Sequence, residues 1–165
     1  MELDAFNRLD AEAARAVVRP CVDIDRWVDA VVEGRPYATT AELLELARTS
    51  AAPWTPAEID GALAHHPRIG ERPGGDGAEA SLSRAEQAGI GMPSADVVTA
   101  LAAGNRAYEE KFSRVFLIRA AGRSADEILD ALNARLAHTE EQEIPVVAEQ
   151  LRQIALLRLE GIIGS

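Results

Sequence analysis

Two positions in this sequence set a chargeable side chain among apolar neighbours. Segment 140–163 has helical periodicity, and at roughly 100° per residue Leu151, Ile154, Ala155 and Ile162 all lie within about 60° of Arg158. A guanidinium does not give up its proton, so burying it costs several kcal/mol unless an anion or several acceptors meet it. Two readings fit: an internal partner, whether a glutamate, helix-end carbonyls or solvent reached by snorkelling, and a clamp for a substrate oxygen. His66 follows Ile59, Ala62 and Leu63 at helical spacing, which turns it inward at a helix end where the macrodipole favours the imidazolium. It can be a satisfied core histidine or, beside the glycine-rich stretch that follows, an acid. Glu86 lies three residues after Ser83, and a capping box at that spacing accounts for both without any catalysis. Gln87 reads as a surface glutamine.

Other constellations give less. His65, His66, Glu71 and Asp76 could be imagined around a metal, but adjacent histidines diverge on a helix, and neither an HExxH run nor paired cysteines occur. No metal site is expected. Cys21 has no nucleophile signature around it, and there is no Gly-x-Ser-x-Gly elbow. Gly74-Gly75-Asp76-Gly77 lacks the lysine and helix start of a phosphate-binding loop.

Helices must position these side chains. Alanine, leucine, glutamate and arginine dominate and aromatics make up 4% of the chain, so an all-α, single-domain multi-helix bundle is expected. Asp10 caps a helix that stops before Pro20, Asp23 one that stops at Gly34, and Thr39 with Glu42 opens a third. Thr55-Pro56-Ala57-Glu58 opens a fourth, running to His65 or His66, where Pro67 ends it. Residues 67–80 hold enough glycine and proline to form a loop, and loops of that length are often functional, so this is the expected active-site loop. Ser83 with Glu86 starts a short helix ended by Gly89 and Gly91, and Ser94 caps a longer one reaching Phe112. Val115–Ile118 is an extended buried connector. Ser124 with Glu127 starts another helix, and the last lies within 140–163, with Pro145 disturbing its first turn. No repeat, linker or low-complexity tract divides the chain, so one domain over 1–165 is expected.

Twenty-seven acidic residues against 17 basic ones give a formal charge of -10, which repels nucleic acid backbones and anionic membranes. No apolar run is long enough to span a bilayer, the N-terminal residues are acidic where a signal peptide is basic, and Gly164-Ser165 carries no organelle address. The expectation is a cytoplasmic protein that binds neither nucleic acid nor membrane. A domain of this size buries roughly two thirds of its unfolded surface and needs no disulfide, which the lone Cys21 could not form internally.

Five motifs in order carry a resemblance. His65-His66-Pro67-Arg68-Ile69-Gly70-Glu71, Ser83-Arg84-Ala85-Glu86-Gln87-Ala88-Gly89, Asn105-Arg106-Ala107-Tyr108-Glu109-Glu110-Lys111-Phe112, Phe116-Leu117-Ile118 before Gly122-Arg123-Ser124, and Ile154-Ala155-Leu156-Leu157-Arg158-Leu159 resemble the 2-oxo-4-hydroxy-4-carboxy-5-ureidoimidazoline (OHCU) decarboxylases. The resemblance runs from Phe6-Asn7 to the last helix. It implies an all-α, usually dimeric enzyme without cofactor or metal that performs the last step of urate breakdown to (S)-allantoin. His66 and Glu86 match the family's essential residues. Pro67, Ser83, Gln87 and Arg158 match substrate contacts, and Phe116, Leu117, Ile118, Arg119 and Ala120 match the segment whose backbone holds the heterocycle. The implied partner is a small anionic ureidoimidazoline. Loss of carbon dioxide leaves electron density beside a ring carbonyl, where it spreads as an enolate, so an electron-sink cofactor is dispensable and preorganised donors can stabilise the charge. The chain departs from the family pattern at Ala121, often arginine, and at Arg119, often small or apolar. Competing readings are a non-catalytic sensor of a ureide or purine metabolite, a metal-assisted amidohydrolase, and an acidic interaction module with no closed pocket.

Overall fold

The computed structural model describes residues 1–64, 66–70 and 77–164. His65, Glu71 and Asp76, named above around a possible metal, lie outside the described residues, as do residues 71–76 of the expected loop. Every regular element among the described residues is an α-helix: α1 Leu3–Arg8, α2 Ala11–Val18, α3 Asp25–Glu33, α4 Thr40–Ser50, α5 Pro56–Leu63, α6 Ala78–Ala88, α7 Ala95–Phe112, α8 Ala125–Leu136 and α9 Glu140–Ile163. None is long and apolar enough to cross a membrane. The chain divides into two compact units, Met1–Ala62 with Leu151–Ser165, and Leu63–Gln150, so the division falls inside α9.

Most helices begin where a capping side chain satisfies an amide that has no partner within the helix. Asp10 accepts from Ala13 N–H at 2.8 Å, Thr39 from Glu42 at 3.2 Å and Ser94 from Val97 at 3.3 Å. Thr55 with Glu58 and Ser124 with Glu127 form reciprocal capping boxes. Three boundaries differ from the sequence reading, and the last helix keeps its expected bounds. Asp23 does not cap α3, because Arg19 draws its carboxylate away at 2.5 Å and the helix opens instead on the carbonyl of Ile24. The fourth helix stops at Leu63, short of the histidines. The helix assigned to start at Ser83 starts at Ala78, since Ala78-Glu79-Ala80 propagate a helix readily. Pro145 lies inside α9 without ending it: its missing N–H removes the one bond owed to the Glu141 carbonyl, and both residues are exposed.

In the first unit, α3 packs on α2 and α4. Trp27, Val28, Val31 and Val32 of α3 are buried, as are Val18 of α2 and Leu43 and Ala47 of α4. The Trp27 indole N–H donates to the Ala47 carbonyl at 2.8 Å and its ring meets Trp54 edge-on.

In the second unit, α7 lies along α8, and the core comprises Leu101, Tyr108, Phe112, Phe116, Ile128 and Leu132 with Ile69, Ile118 and Ala120. The Tyr108 ring meets Phe112 and Phe116 at 4.6 and 5.2 Å between centroids. Gly104 permits the approach of α7 to α8, since a methyl group there would overlap the fully buried Leu132 side chain.

This core also holds an ion pair. Glu143 is fully buried and Arg135 is 5% exposed. Arg135 Nε donates to Glu143 Oε1 at 2.7 Å, Tyr108 Oη donates to the same oxygen at 2.7 Å, and His138 Nδ1 lies 2.9 Å from Oε2. The Arg135 guanidinium stacks over Phe116 at 4.6 Å. Burial pushes the Glu143 carboxyl up, but the hydrogen bonds from Arg135, Tyr108 and His138 together outweigh it and hold the group below its ordinary value. Burial, with the carboxylate as acceptor, raises the Tyr108 phenol.

Two predictions follow from this packing. Gly104→Ala should cost about 1–3 kcal/mol by overpacking, whereas Gly61→Ala, in an exposed turn of α5 with open space around it, should gain about 0.5–1 kcal/mol from helix propensity; urea unfolding of both variants measures the difference. Because the folded-state pKa of Glu143 is depressed, its stabilising contribution is complete above the ordinary value of 4.5 and is lost as pH falls through the lower folded value. The stability gap between the natural chain and Glu143→Gln should therefore narrow in acid-series urea titrations run from about pH 6 to about pH 3.

Candidate functional site

Two irregular stretches of the second unit carry most of the residues singled out above, and side chains from neighbouring helices fix both. The first is the segment 66–70. His66 leaves α5 by a turn, its N–H donating to the Leu63 carbonyl at 3.0 Å. The His66 side chain is only 4% exposed, and Nε2 lies 3.7 Å from Glu79 Oε1 in the first turn of α6. Pro67 is half-buried. Gln87, near the other end of α6, accepts from Gly70 N–H at 3.1 Å and reaches the Arg68 carbonyl at 3.5 Å. From α7, Asn105 donates to the Ile69 carbonyl at 3.1 Å, and Glu109 takes the Arg68 guanidinium through both carboxylate oxygens. That pairing holds the Glu109 carboxyl below its ordinary value. Gly70 has φ +89°, a conformation that favours glycine at this turn. The segment is thus tied to α6 on one side and α7 on the other, which fixes where the imidazole points.

The early start of α6 changes the reading of Ser83 and Glu86. Both lie within the helix, so they form no capping box. At separations of three and four, Glu79, Ser83, Glu86 and Gln87 share one face of α6. Ser83 is buried, and Glu86 and Gln87 are half-buried. Glu79 stands in the stretch 67–80 expected as loop and joins this helix face only because α6 starts at Ala78; a helix propensity sum starting at Ala78 is the signal that finds it.

The second stretch is 116–120, the expected extended connector, with Phe116, Leu117, Ile118 and Ala120 each at most 5% exposed. Arg135 Nη1 donates to the Leu117 carbonyl at 2.5 Å, and Arg119 N–H donates to Gln150 Oε1 at 2.9 Å. The N–H groups of Phe116, Leu117, Ile118 and Ala120 meet no acceptor among the described residues. Buried amides without acceptors are rare in folded proteins, and here they occur in succession. Arg119 within the stretch and Arg123 just after it each have a buried Nε with no acceptor among the described residues; Ala121 lies between them. Arg135 and Glu143 were missed. The signal was available: Arg135 continues the Ile128–Leu132 stripe of α8 at i+7, as Arg158 interrupts the stripe of α9.

A cavity of about 390 Å³ opens between Arg68–Gly70 and the Leu101, Asn105 and Arg106 side of α7. None of the expected site residues lines it.

Arg158 belongs to the first unit and is described there. It is 3% exposed, as the helical wheel required, and Nη1 donates to the Pro20 carbonyl at 3.0 Å, just beyond α2. One of the two readings given for it, a carbonyl near a helix end, thus supplies part of its hydrogen bonding.

Known proteins share this architecture and sequence. A 2-oxo-4-hydroxy-4-carboxy-5-ureidoimidazoline decarboxylase of Amia calva is 32% identical over 136 residues, covering 81% of this chain and 78% of the relative. One from Haloferax volcanii is 25% identical over 161 residues, covering 96% and 94%. The fold matches a crystal structure of OHCU decarboxylase in the presence of (S)-allantoin with a TM-score of 0.72 at 24% identity, over 91% of this chain and 99% of that one. The profile described as OHCU decarboxylase matches residues 7–160, nearly the full length, and the chain belongs to that family.

Proposed function

We propose that this chain is a carboxy-lyase that converts OHCU to (S)-allantoin without a cofactor, as a homodimeric cytoplasmic enzyme of purine catabolism. The family match runs through both compact units, which supports reading residues 1–165 as one functional domain. The observation that carries the reading is the set of unclaimed amides at Phe116, Leu117, Ile118 and Ala120, buried donors such as a developing anion needs.

The chemistry divides among the chain's own residues. The bond from ring carbon C4 to the carboxylate breaks, carbon dioxide leaves, and the electron pair passes through the adjacent C5=N bond to the ring nitrogen and the C2 oxygen, leaving an enol at C4 whose hydroxyl proton is released as C4 becomes the product carbonyl. The amide of Ile118, with those of Phe116 and Ala120 two residues to either side on the same edge of the extended connector, stabilises the oxygen; donors preorganised in a dry site are worth about 3 kcal/mol each when the charge appears. The side chains of Arg119 and Arg123 add positive charge beside them, in a protein whose net charge is -10. His66 then delivers a proton to one face of the intermediate carbon, which sets the configuration of the product. Glu86 is assigned to orient His66 from the face of α6 that also carries Glu79, Gln87 and Ser83 contact the ureido and ring polar atoms, and Pro67 shapes the wall beside the imidazole. Arg158 is assigned a substrate oxygen on its own chemistry, as a fixed cation with donors in a planar fork.

The decisive assay generates OHCU in place with urate oxidase and hydroxyisourate hydrolase, adds the protein with excess chelator, and follows allantoin by circular dichroism. The natural chain should give a fast, chelator-resistant signal of the (S) enantiomer, and His66→Ala and Glu86→Ala should each slow it by at least about a hundredfold, as loss of general acid–base catalysis does. Racemic product at the spontaneous rate would refute the enzyme and leave a metabolite-binding protein; chelator sensitivity would point to metal-assisted hydrolysis. His66→Asn should give allantoin of reduced enantiomeric purity, and pure (S) product from that variant would remove His66 from the role of proton donor.

A further inference from the structure

An extended connector cannot orient its own peptide groups. It has no i→i−4 bonds, so whatever aims its amides must come from elsewhere in the fold. For the Leu117–Ile118 peptide that agent is identifiable. The peptide is trans, so the Leu117 carbonyl and the Ile118 N–H lie in one plane and point in opposite directions. Arg135 Nη1 takes the carbonyl at 2.5 Å. Fixing one end of this rigid plane fixes the other, and the Ile118 N–H is thereby aimed away from Arg135. Charge on the guanidinium also draws electrons toward the carbonyl oxygen, which strengthens the N–H as a donor.

The guanidinium is in turn fixed on three sides. Glu143 Oε1 accepts from Nε, the Phe116 ring lies under its plane at 4.6 Å, and Tyr108, which shares the same carboxylate oxygen, prevents that oxygen from turning away. A structural purpose alone does not account for this arrangement. Buried ion pairs add little to stability, and apolar side chains of similar volume often replace them neutrally or favourably. We infer that Arg135, held by Glu143 and Tyr108, is a positioning residue that aims and polarises the Ile118 amide toward the reacting carbonyl of the substrate. The inference rests on the decarboxylase reading above. It adds three residues that touch no substrate to the machinery of the reaction.

The test separates positioning from support by making stability and rate move apart. In Arg135→Met/Glu143→Leu, both charges leave together and the volume is kept, so the urea midpoint should stay at or above that of the natural chain, while kcat falls by at least about tenfold with KM within about threefold, the pattern of an interaction made in the transition state. Arg135→Lys, which keeps the charge without the fork, should show the same split at smaller size. As a second readout, in protein labelled with 15N-isoleucine the Ile118 amide resonance should shift on adding (S)-allantoin to the natural chain and fail to shift in Arg135→Lys, with the Ile128 amide of α8 unchanged as a control for the fold. Full kcat in either variant would overturn the inference while leaving the decarboxylase reading intact. So would a fall in kcat that tracks a fall in folded fraction, or an Ile118 response equal to that of the natural chain. A natural chain without decarboxylase activity would overturn both.

Discussion

A guanidinium buried among aromatic rings must be met by charge and by acceptors, and much of the second unit follows from how Arg135 meets that requirement. Its carboxylate comes from the first turn of α9, its aromatic floor from the connector before α8, and its last acceptor is a backbone carbonyl of that same connector. One cation therefore ties α8, α9, α7 through Tyr108, and the 116–120 stretch into a single arrangement. None of these groups could move far without leaving a buried charge unpaired, which costs about 3–5 kcal/mol. The strength of the pair matters less to the fold than its geometry.

The same division of labour recurs at 66–70. Helices α6 and α7 are regular, their amides and carbonyls paired internally, so only their side chains are available to reach outward. Gln87, Asn105 and Glu109 do so, and each takes a backbone group or side chain of an irregular segment that has no pattern of its own. Rigid helices thereby transmit their precision to short stretches in which polar backbone atoms remain available to a ligand. His66 benefits directly, since the residues after it are held on both sides.

Local features of the sequence were legible and distant ones were not. Caps at Asp10, Thr39, Thr55, Ser94 and Ser124 were readable because the capping bond spans three residues and depends on little else. Ser83 with Glu86 has the same spacing and misled, because three residues also separate neighbours on one face of an uninterrupted helix. Arg158 was readable as buried because its helical stripe is otherwise apolar. Arg135 occupies an equivalent place on α8, yet its partner lies on the next helix and its function lies in a carbonyl 18 residues back, a relation that exists only once the chain has folded. The motifs of the family marked His66, Glu86 and 116–120 as important; the bonds that hold 66–70 and 116–120 in place came from the structure alone.

A site that offers backbone amides has a particular tolerance built into it. Substituting Leu117 changes one side chain and leaves every N–H where it was, so long as the peptide planes keep their orientation, whereas Phe116 and Ile118 also pack in the core and Phe116 floors Arg135. Under the proposed function, selection, or an engineer, can reshape the recognition of the ring through that side chain while the electrostatics of the reaction stay constant. Under the proposed function the reverse also holds: Arg135 and Glu143, which a search for residues lining the substrate would pass over, set the aim of the Ile118 amide.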